Sequence, residues 1–144
     1  MATRATIAKL DKNGVKAIYL HSDGYLEHAG KILDQHYQDE SKVDELLSHG
    51  DVSSLNENIG EKLPFNDYML FHEKKQCRFY HRDRGEDKKE AATLGGENEL
   101  VKFATEKCDA EYIYMFAFGS WYVYDVYNNS EFVELEEVLY VPIR

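Results

Sequence analysis

Two β-prone runs near the N-terminus are joined by a turn signal that restricts the fold more than any other feature of the chain. Residues 3–10 alternate small and apolar side chains, residues 15–21 do so again, and Asp11-Lys12-Asn13-Gly14 separates them. Asn-Gly is the strongest short-range hairpin signal, because both residues tolerate the positive φ angles of a tight type I′ turn. The sequence therefore predicts an antiparallel β-hairpin here.

A second hairpin signal lies near the C-terminus, where Gly119-Ser120 separates two aromatic runs at residues 111–118 and 121–127. In the first run, aromatic side chains at even positions alternate with aliphatic ones at odd positions. Successive side chains of a strand point to opposite faces, so both faces of this strand are apolar. We expect a central strand that is covered on both sides, followed by a last short strand at residues 132–135.

Three segments change to helical spacing. Apolar residues follow one helical face from Tyr25 to Tyr37, Ser41 with Asp44 resembles a capping box, and residues 97–107 carry a third apolar stripe. Residues 68–72 and 76–82 are predicted to be strands. Hairpins at both ends of the chain favour an antiparallel sheet over a βαβ arrangement. The predicted fold is a single α+β domain over residues 1–144, with an antiparallel sheet of about five or six strands and two or three helices packed mainly on one face.

Acidic residues dominate the charge of the chain. Asp and Glu total 27 against 17 Lys and Arg, which gives a formal net charge of −10. Such a surface repels nucleic acid and anionic lipid at long range, so we expect no direct nucleic-acid binding. Two interpretations remain: the charge keeps the protein soluble, or it competes with nucleic acid for a basic partner protein.

The cysteines and the lack of long apolar stretches predict a cytoplasmic protein with no membrane contact. Cys77 and Cys108 are the only cysteines and have no CxxC spacing, which is typical of reduced core thiols. The N-terminal residues lack the apolar stretch of a secretory signal, and no stretch approaches the length of a membrane span. We expect the protein in the cytoplasm of its host cell.

The run around Arg82 and Arg84 is unusual in so acidic a chain. Two arginines flank Asp83, and arginine forks bind phosphate or carboxylate through two parallel hydrogen bonds. The run predicts either an anion site or an internal network of ion pairs. In the first case, an aromatic side chain such as Tyr25 or Tyr80 would stack on the organic part of the ligand.

The remaining candidates for chemistry are weaker. His21 and Asp23 lie where a strand leads into a helix and could share a proton, although Asp23 also suits a helix cap. The six histidines include no HExxH spacing, and no serine or cysteine has the context of a nucleophile. We therefore expect no metal and no cofactor, and a binding protein rather than an enzyme.

An acidic segment follows the last predicted strand pair. It contains Glu131, Glu134, Glu136 and Glu137 within a few residues of one another. Charge runs are usually solvated faces, but an ordered acidic patch can also imitate the phosphates of a duplex. These four glutamates are therefore candidates for contact with a partner.

Five short stretches carry a resemblance to a known group of proteins. They read MATRATIA at residues 1–8, IYLHSDGYL at 18–26, GKILDQHY at 30–37, GDVSSL at 50–55 and RDRGE at 82–86. This pattern resembles small uncharacterised proteins encoded by phages and prophages, which typically read HWDGY where this chain has Ser22 in the second position. The family has no established activity, so no residue roles follow. The resemblance implies a phage accessory protein, and such proteins often inhibit host defence.

Three functional hypotheses follow. The first is a non-enzymatic phage accessory protein that binds and inhibits a host defence component, such as a CRISPR or restriction complex, through acidic mimicry. The second is a module that binds a small phosphate-bearing ligand, such as a nucleotide signal, through Arg82 and Arg84. The third is a small hydrolase that uses His21 and Asp23, with His81 and Asp83 across the sheet.

The aromatic hairpin also predicts an assembly state. Its two strands carry more apolar surface than two or three helices can cover, and Tyr and Trp are favoured at protein interfaces. We therefore expect a homodimer that covers one face of the hairpin between Tyr112 and Tyr127.

Overall fold

One mixed sheet organises the fold. The structure, a computed structural model, describes residues 3–128 and 131–140. Eight strands of these residues form a single sheet. They are β1 Ala5–Asp11, β2 Gly14–Ser22, β3 Val52–Ser54, β4 Arg78–Phe79, β5 Ala92–Leu94, β6 Tyr112–Ala117, β7 Ser120–Asp125 and β8 Val133–Glu134. The helices of the same residues are a π-helix at Leu26–Gly30, α1 Lys31–His36, α2 Glu40–Ser48, α3 Tyr68–Lys74, α4 Glu97–Glu106 and α5 Leu135–Leu139.

Both predicted hairpins are confirmed. β1 and β2 pair antiparallel up to Asp11 opposite Gly14, so the turn itself consists of Lys12 and Asn13. β6 and β7 pair antiparallel up to Ala117 opposite Ser120. Phe118 and Gly119 between them have φ angles of 54° and 77°, the left-handed conformation that a two-residue hairpin turn requires.

The sheet has more strands than predicted and is not purely antiparallel. The strand order is β4-β3-β2-β1-β6-β7-β8, and β5 pairs with β2 beside β3. Most neighbours are antiparallel, but β1 pairs parallel with β6 and β2 pairs parallel with β3. A hairpin turn determines only which strands pair within that hairpin. The long crossovers between the hairpins allow the parallel joints, which local turn chemistry cannot specify.

Helices cover both faces of the sheet. One core layer unites Ile7, Ile18 and Tyr114 with apolar residues of α1, α2 and α5. The other unites Ala8, Val15 and further sheet residues with Leu100 and Ala104 of α4. The helices are more numerous than the two or three predicted; most of them pack on the first face, as predicted, and α4 covers the second. The prediction that β6 is a central strand covered on both sides is confirmed.

Several local predictions of secondary structure and helix caps were wrong. Residues 68–72, predicted as a strand, form helix α3, because the Asp67 carboxylate caps it by accepting from the Leu70 N–H at 3.1 Å. Of residues 76–82 only Arg78 and Phe79 are strand, since the chain then turns around Asp83. Helix α2 is capped by Asp39 and not by the predicted Ser41. Strand β8 is confirmed within residues 132–135, but helix α5 follows it without a sequence signal.

None of the helices within residues 3–128 and 131–140 is long and apolar enough to cross a membrane; the longest, α4, has ten residues.

The homodimer stays a prediction. Trp121 and Val123 of the aromatic hairpin are buried within the single chain, because α1, α2 and α5 pack on that face. Strongly exposed apolar rings lie instead at the two ends of the hairpin, where Phe118 is 90 % and Tyr127 is 70 % exposed. A dimer contact would therefore use the ends of the hairpin or its opposite face, where Tyr122 and Tyr124 are half-buried.

Candidate anion-binding site

Arg78 is a buried cation on the edge strand β4. The residue is only 8 % exposed, and its Cζ atom lies 3.8 Å from the centre of the Phe65 ring and 4.1 Å from that of Tyr68. Within the described residues no carboxylate lies within 4.0 Å of this guanidinium, and its Nε atom has no hydrogen-bond partner. A buried charge without a counter-ion is costly. The side chain is therefore available to a negative group that the described residues do not supply.

A cavity of about 640 Å³ opens beside Arg78. The cavity is lined by hydrogen-bond donors and aromatic rings: His21, Ser22, Ser53, Phe65, Asn66, Tyr68, Tyr80 and Arg84. None of the described residues that line it is an aspartate or a glutamate, although the chain contains 27 of them. The cavity is therefore a locally cationic site in an acidic protein.

Strand pairing brings the cavity residues together. The end of β2 carries His21 and Ser22, and Ser22 lies opposite Ser54 of β3. Ser54 in turn lies opposite Arg78 of β4. The connection after β3 and the start of α3 then add Phe65 and Tyr68, which are far from β2 in the sequence. The site therefore depends on the order of strands at this edge of the sheet.

Arg84 is the second cation of the cavity. Its Nε atom lies 3.3 Å from a Glu86 carboxylate oxygen, and its side chain is 56 % exposed. Its Cζ atom lies 5.3 Å from the centre of the Phe65 ring, so Arg78 and Arg84 contact the same aromatic residue. Exposed ion pairs contribute little to stability. Arg84 can therefore exchange Glu86 for an anionic ligand at small cost.

His21 presents a hydrogen-bond donor to the cavity. Its Nδ1 atom lies 2.7 Å from the hydroxyl of Tyr19, which accepts a hydrogen bond from Arg4 Nε at 3.1 Å. Burial raises the pKa of Tyr19, so its hydroxyl keeps the proton. Because Arg4 can only donate, the Tyr19 proton points to Nδ1 of His21. With Nδ1 accepting this hydrogen bond, the N–H of the imidazole is on Nε2, where it can donate to an anion.

Arg82 does not line the cavity. Its guanidinium forms two hydrogen bonds with Asp83, at 3.0 and 3.1 Å, and donates to the backbone carbonyls of Ile59, Gly60 and Cys77. These contacts occupy all five N–H donors of an arginine. Of the two interpretations of the arginine run, the internal network therefore describes Arg82, whereas Arg84 is at the cavity.

The two predicted stacking residues lie in different places. Tyr80 lines the cavity, and its ring centre lies 6.0 Å from that of Phe65. Tyr25 precedes the π-helix, where its ring is 6.1 Å from His28 and outside the cavity lining. The structure therefore groups His21, Tyr80 and Arg84 and separates Tyr25 and Arg82 from them.

No catalytic pair forms around His21. Among the described residues the hydrogen-bond partner of its side chain is Tyr19 and not Asp23, and Asp83 is occupied by Arg82. Asp23 adopts a positive φ of 55° and does not cap the following helix, so the predicted cap is wrong. Cys77 and Cys108 are buried, and burial raises the pKa of each thiol. Within residues 3–128 and 131–140, no group of three or more metal-ligating side chains is assembled.

Sequence reasoning missed Arg78. The sequence did contain a signal for it, because Arg78 lies between the apolar residues Cys77 and Phe79 in a β-prone run. An arginine that is buried in a strand needs a partner for its charge. The rings that stack on it come from Phe65 and Tyr68, in segments whose approach to β4 has no sequence pattern.

The four candidate glutamates lie at the opposite edge of the sheet. Glu131 precedes β8, Glu134 ends it, and Glu136 and Glu137 lie in the first turn of α5; all four are exposed. Acidic residues in a first turn also stabilise a helix through its dipole. Their exposure is therefore compatible with both a structural and a binding role.

Comparison of the chain with protein-family models, curated proteins and solved structures found no match. The likeness to phage proteins therefore stays a prediction, and the function has to be inferred from the geometry of the site.

Proposed function

We propose that this protein binds a small phosphate-bearing ligand in the cavity beside Arg78. The observation that supports this proposal is the buried guanidinium of Arg78, which has no counter-ion among the described residues and borders a cavity without carboxylates. A volume of about 640 Å³ is in the range of cavities that take small organic ligands, and is much larger than a bare ion needs.

The site is organised before the ligand arrives. Stacking on Phe65 and Tyr68 holds the planar fork of Arg78 in one orientation, so little side-chain entropy is lost on binding. Arg84 supplies a second positive charge, and the hydroxyls of Ser22 and Ser53 supply neutral donors. Two cations favour a dianion, which a phosphate monoester is and a simple carboxylate is not.

Calorimetry with ribose 5-phosphate and inorganic phosphate as probes tests this function. Wild type should bind ribose 5-phosphate, and Arg78→Met should weaken binding by about tenfold or more because the main charge partner is lost. Lys31→Met is the matched control, since it also removes one positive charge but lies on the exposed face of α1. Equal affinity of wild type and Arg78→Met for ribose 5-phosphate would refute the proposal. Failure of wild type to bind both ribose 5-phosphate and inorganic phosphate would also refute it.

A second candidate function is the inhibition of a basic host defence protein through the acidic segment. It is favoured by the exposure of Glu131, Glu134, Glu136 and Glu137, and these residues lie at the sheet edge away from the Arg78 cavity. Because the two sites do not overlap, one protein can carry both functions.

A further inference from the structure

A second cavity of about 210 Å³ adjoins the Arg78 cavity. The two cavities share Tyr80 and Arg84 as lining residues, so they meet at these side chains. Their chemistry differs, because the second cavity is also lined by carboxylates, including Asp51 and Asp87. A ligand that extends from one cavity into the other therefore carries an anion at one end and hydrogen-bond donors at the other.

Among the carboxylates that line this second cavity, the side chain of Asp51 is held by a backbone hydrogen bond. Asp51 is the residue that precedes β3 in the sequence, and it is half-buried. Its Oδ1 atom accepts a hydrogen bond from the backbone N–H of Tyr19 at 3.0 Å, and its backbone carbonyl accepts one from the N–H of Tyr80 at 3.4 Å. A carboxylate has about four lone-pair sites on its two oxygens. Asp51 therefore retains acceptor capacity for two further N–H groups on a ligand.

Aromatic rings line the same cavity. Tyr80 separates it from the Arg78 cavity, and His49 stacks on Phe79 with ring centres 4.6 Å apart. Flat rings of this kind accept a heteroaromatic ring by stacking, and they do so with little regard to which base it is. Discrimination between bases would then depend on hydrogen bonds from the edge of the base to the Asp51 carboxylate.

We propose that the ligand is a guanine nucleotide, a nucleoside monophosphate whose phosphate contacts Arg78 and Arg84 and whose base donates to Asp51. This inference rests on the proposed function, because it names the class of phosphate-bearing ligand. Guanine presents two adjacent donors, N1–H and the 2-amino group, which match the two oxygens of a carboxylate. Adenine places an acceptor nitrogen beside its amino group, and this acceptor repels a carboxylate.

Calorimetry with three probes separates this inference from the proposed function. Wild type should bind GMP about tenfold more tightly than AMP, the discrimination expected of one bidentate contact, and should bind both more tightly than ribose 5-phosphate, which has no base to stack. Asp51→Asn should reduce the affinity for GMP to that of AMP, because stacking of the base is retained. Asparagine keeps a side-chain oxygen that accepts the Tyr19 N–H, so the affinity for ribose 5-phosphate should be unchanged. Unchanged affinity for ribose 5-phosphate would show that the site of the variant is folded. Glu106→Gln, on the exposed side of α4, is the control for loss of one negative charge.

Two results would overturn the inference while leaving the proposed function intact. One is equal affinity for GMP and AMP while ribose 5-phosphate still binds, and the other is a preference for GMP over AMP that survives Asp51→Asn. If none of the three probes binds, the proposed function itself fails.

Discussion

Arg78 and Arg82 are four positions apart, both have largely buried side chains, and their environments are opposite. Arg82 is paired with Asp83, whose side chain is fully buried and also accepts the backbone N–H groups of Leu63 and Phe79. The guanidinium of Arg78 lies over the rings of Phe65 and Tyr68 and has no carboxylate partner among the described residues. One arginine therefore stabilises the fold, and the other is the residue on which the proposed ligand site depends.

This contrast predicts different effects on stability at the residue scale. Arg82→Met should lower the free energy of unfolding by about 3–5 kcal/mol, because Asp83 is left as an uncompensated buried charge. Arg78→Met should change it by less than about 1 kcal/mol, since the loss of cation–π stacking is offset by removal of an unpaired buried charge. Urea unfolding without ligand measures both variants. A loss for Arg78→Met as large as that for Arg82→Met would make Arg78 a structural residue and remove the basis of the site.

At the scale of elements, Asp67 caps helix α3, and the first residue of this helix lines the cavity. Tyr68 is its first residue and stacks on Arg78, and Lys75 ends the helix in the left-handed conformation. The same helix leaves Tyr68 and Met69 62 % and 69 % exposed, so packing contributes little to holding its first turn. The position of Tyr68 therefore depends strongly on the cap.

Removal of this cap should weaken both the helix and the ligand site. Asp67→Ala should lower the free energy of unfolding by about 1 kcal/mol and reduce the affinity for ribose 5-phosphate, because Tyr68 no longer orders Arg78. Asp67→Ser, which retains a capping oxygen, should restore most of both. Asp39→Ala is the matched control, since it removes the cap of α2 far from the cavity. If Asp67→Ala loses stability but binds as wild type does, stacking by Tyr68 is not needed at the site.

At the scale of the whole molecule, the strand order separates two surfaces of opposite charge. β4, which carries Arg78, ends the sheet at one edge, and β8, which leads into the acidic segment, ends it at the other. The net charge of −10 therefore describes the average surface and not the cavity. A basic partner and an anionic ligand would approach from different sides.

The acidic segment should act through long-range attraction that salt screens. If a basic host protein binds there, its capture from lysate should fall steeply between low salt and about 0.5 M salt, where screening extends over only a few ångströms. Replacing Glu131, Glu134, Glu136 and Glu137 by Gln should abolish capture, whereas Arg78→Met should leave it unchanged. Pull-down followed by mass spectrometry measures both. Capture that survives the four substitutions would exclude this segment as the binding surface.

The sequence by itself determined the two hairpins, the helical stripe of α4 and the doubly covered strand β6. Each of these features depends on turn-forming residues or on the periodic spacing of apolar side chains, and both are properties of residues close together in the chain. The tertiary structure alone decided the parallel joint between β1 and β6 and the partners of each arginine. Arg78, Phe65 and His21 lie in three separate segments, and strand order brings them to one cavity. Because long-range pairing carries no local signal, the candidate anion site became visible only in the folded chain.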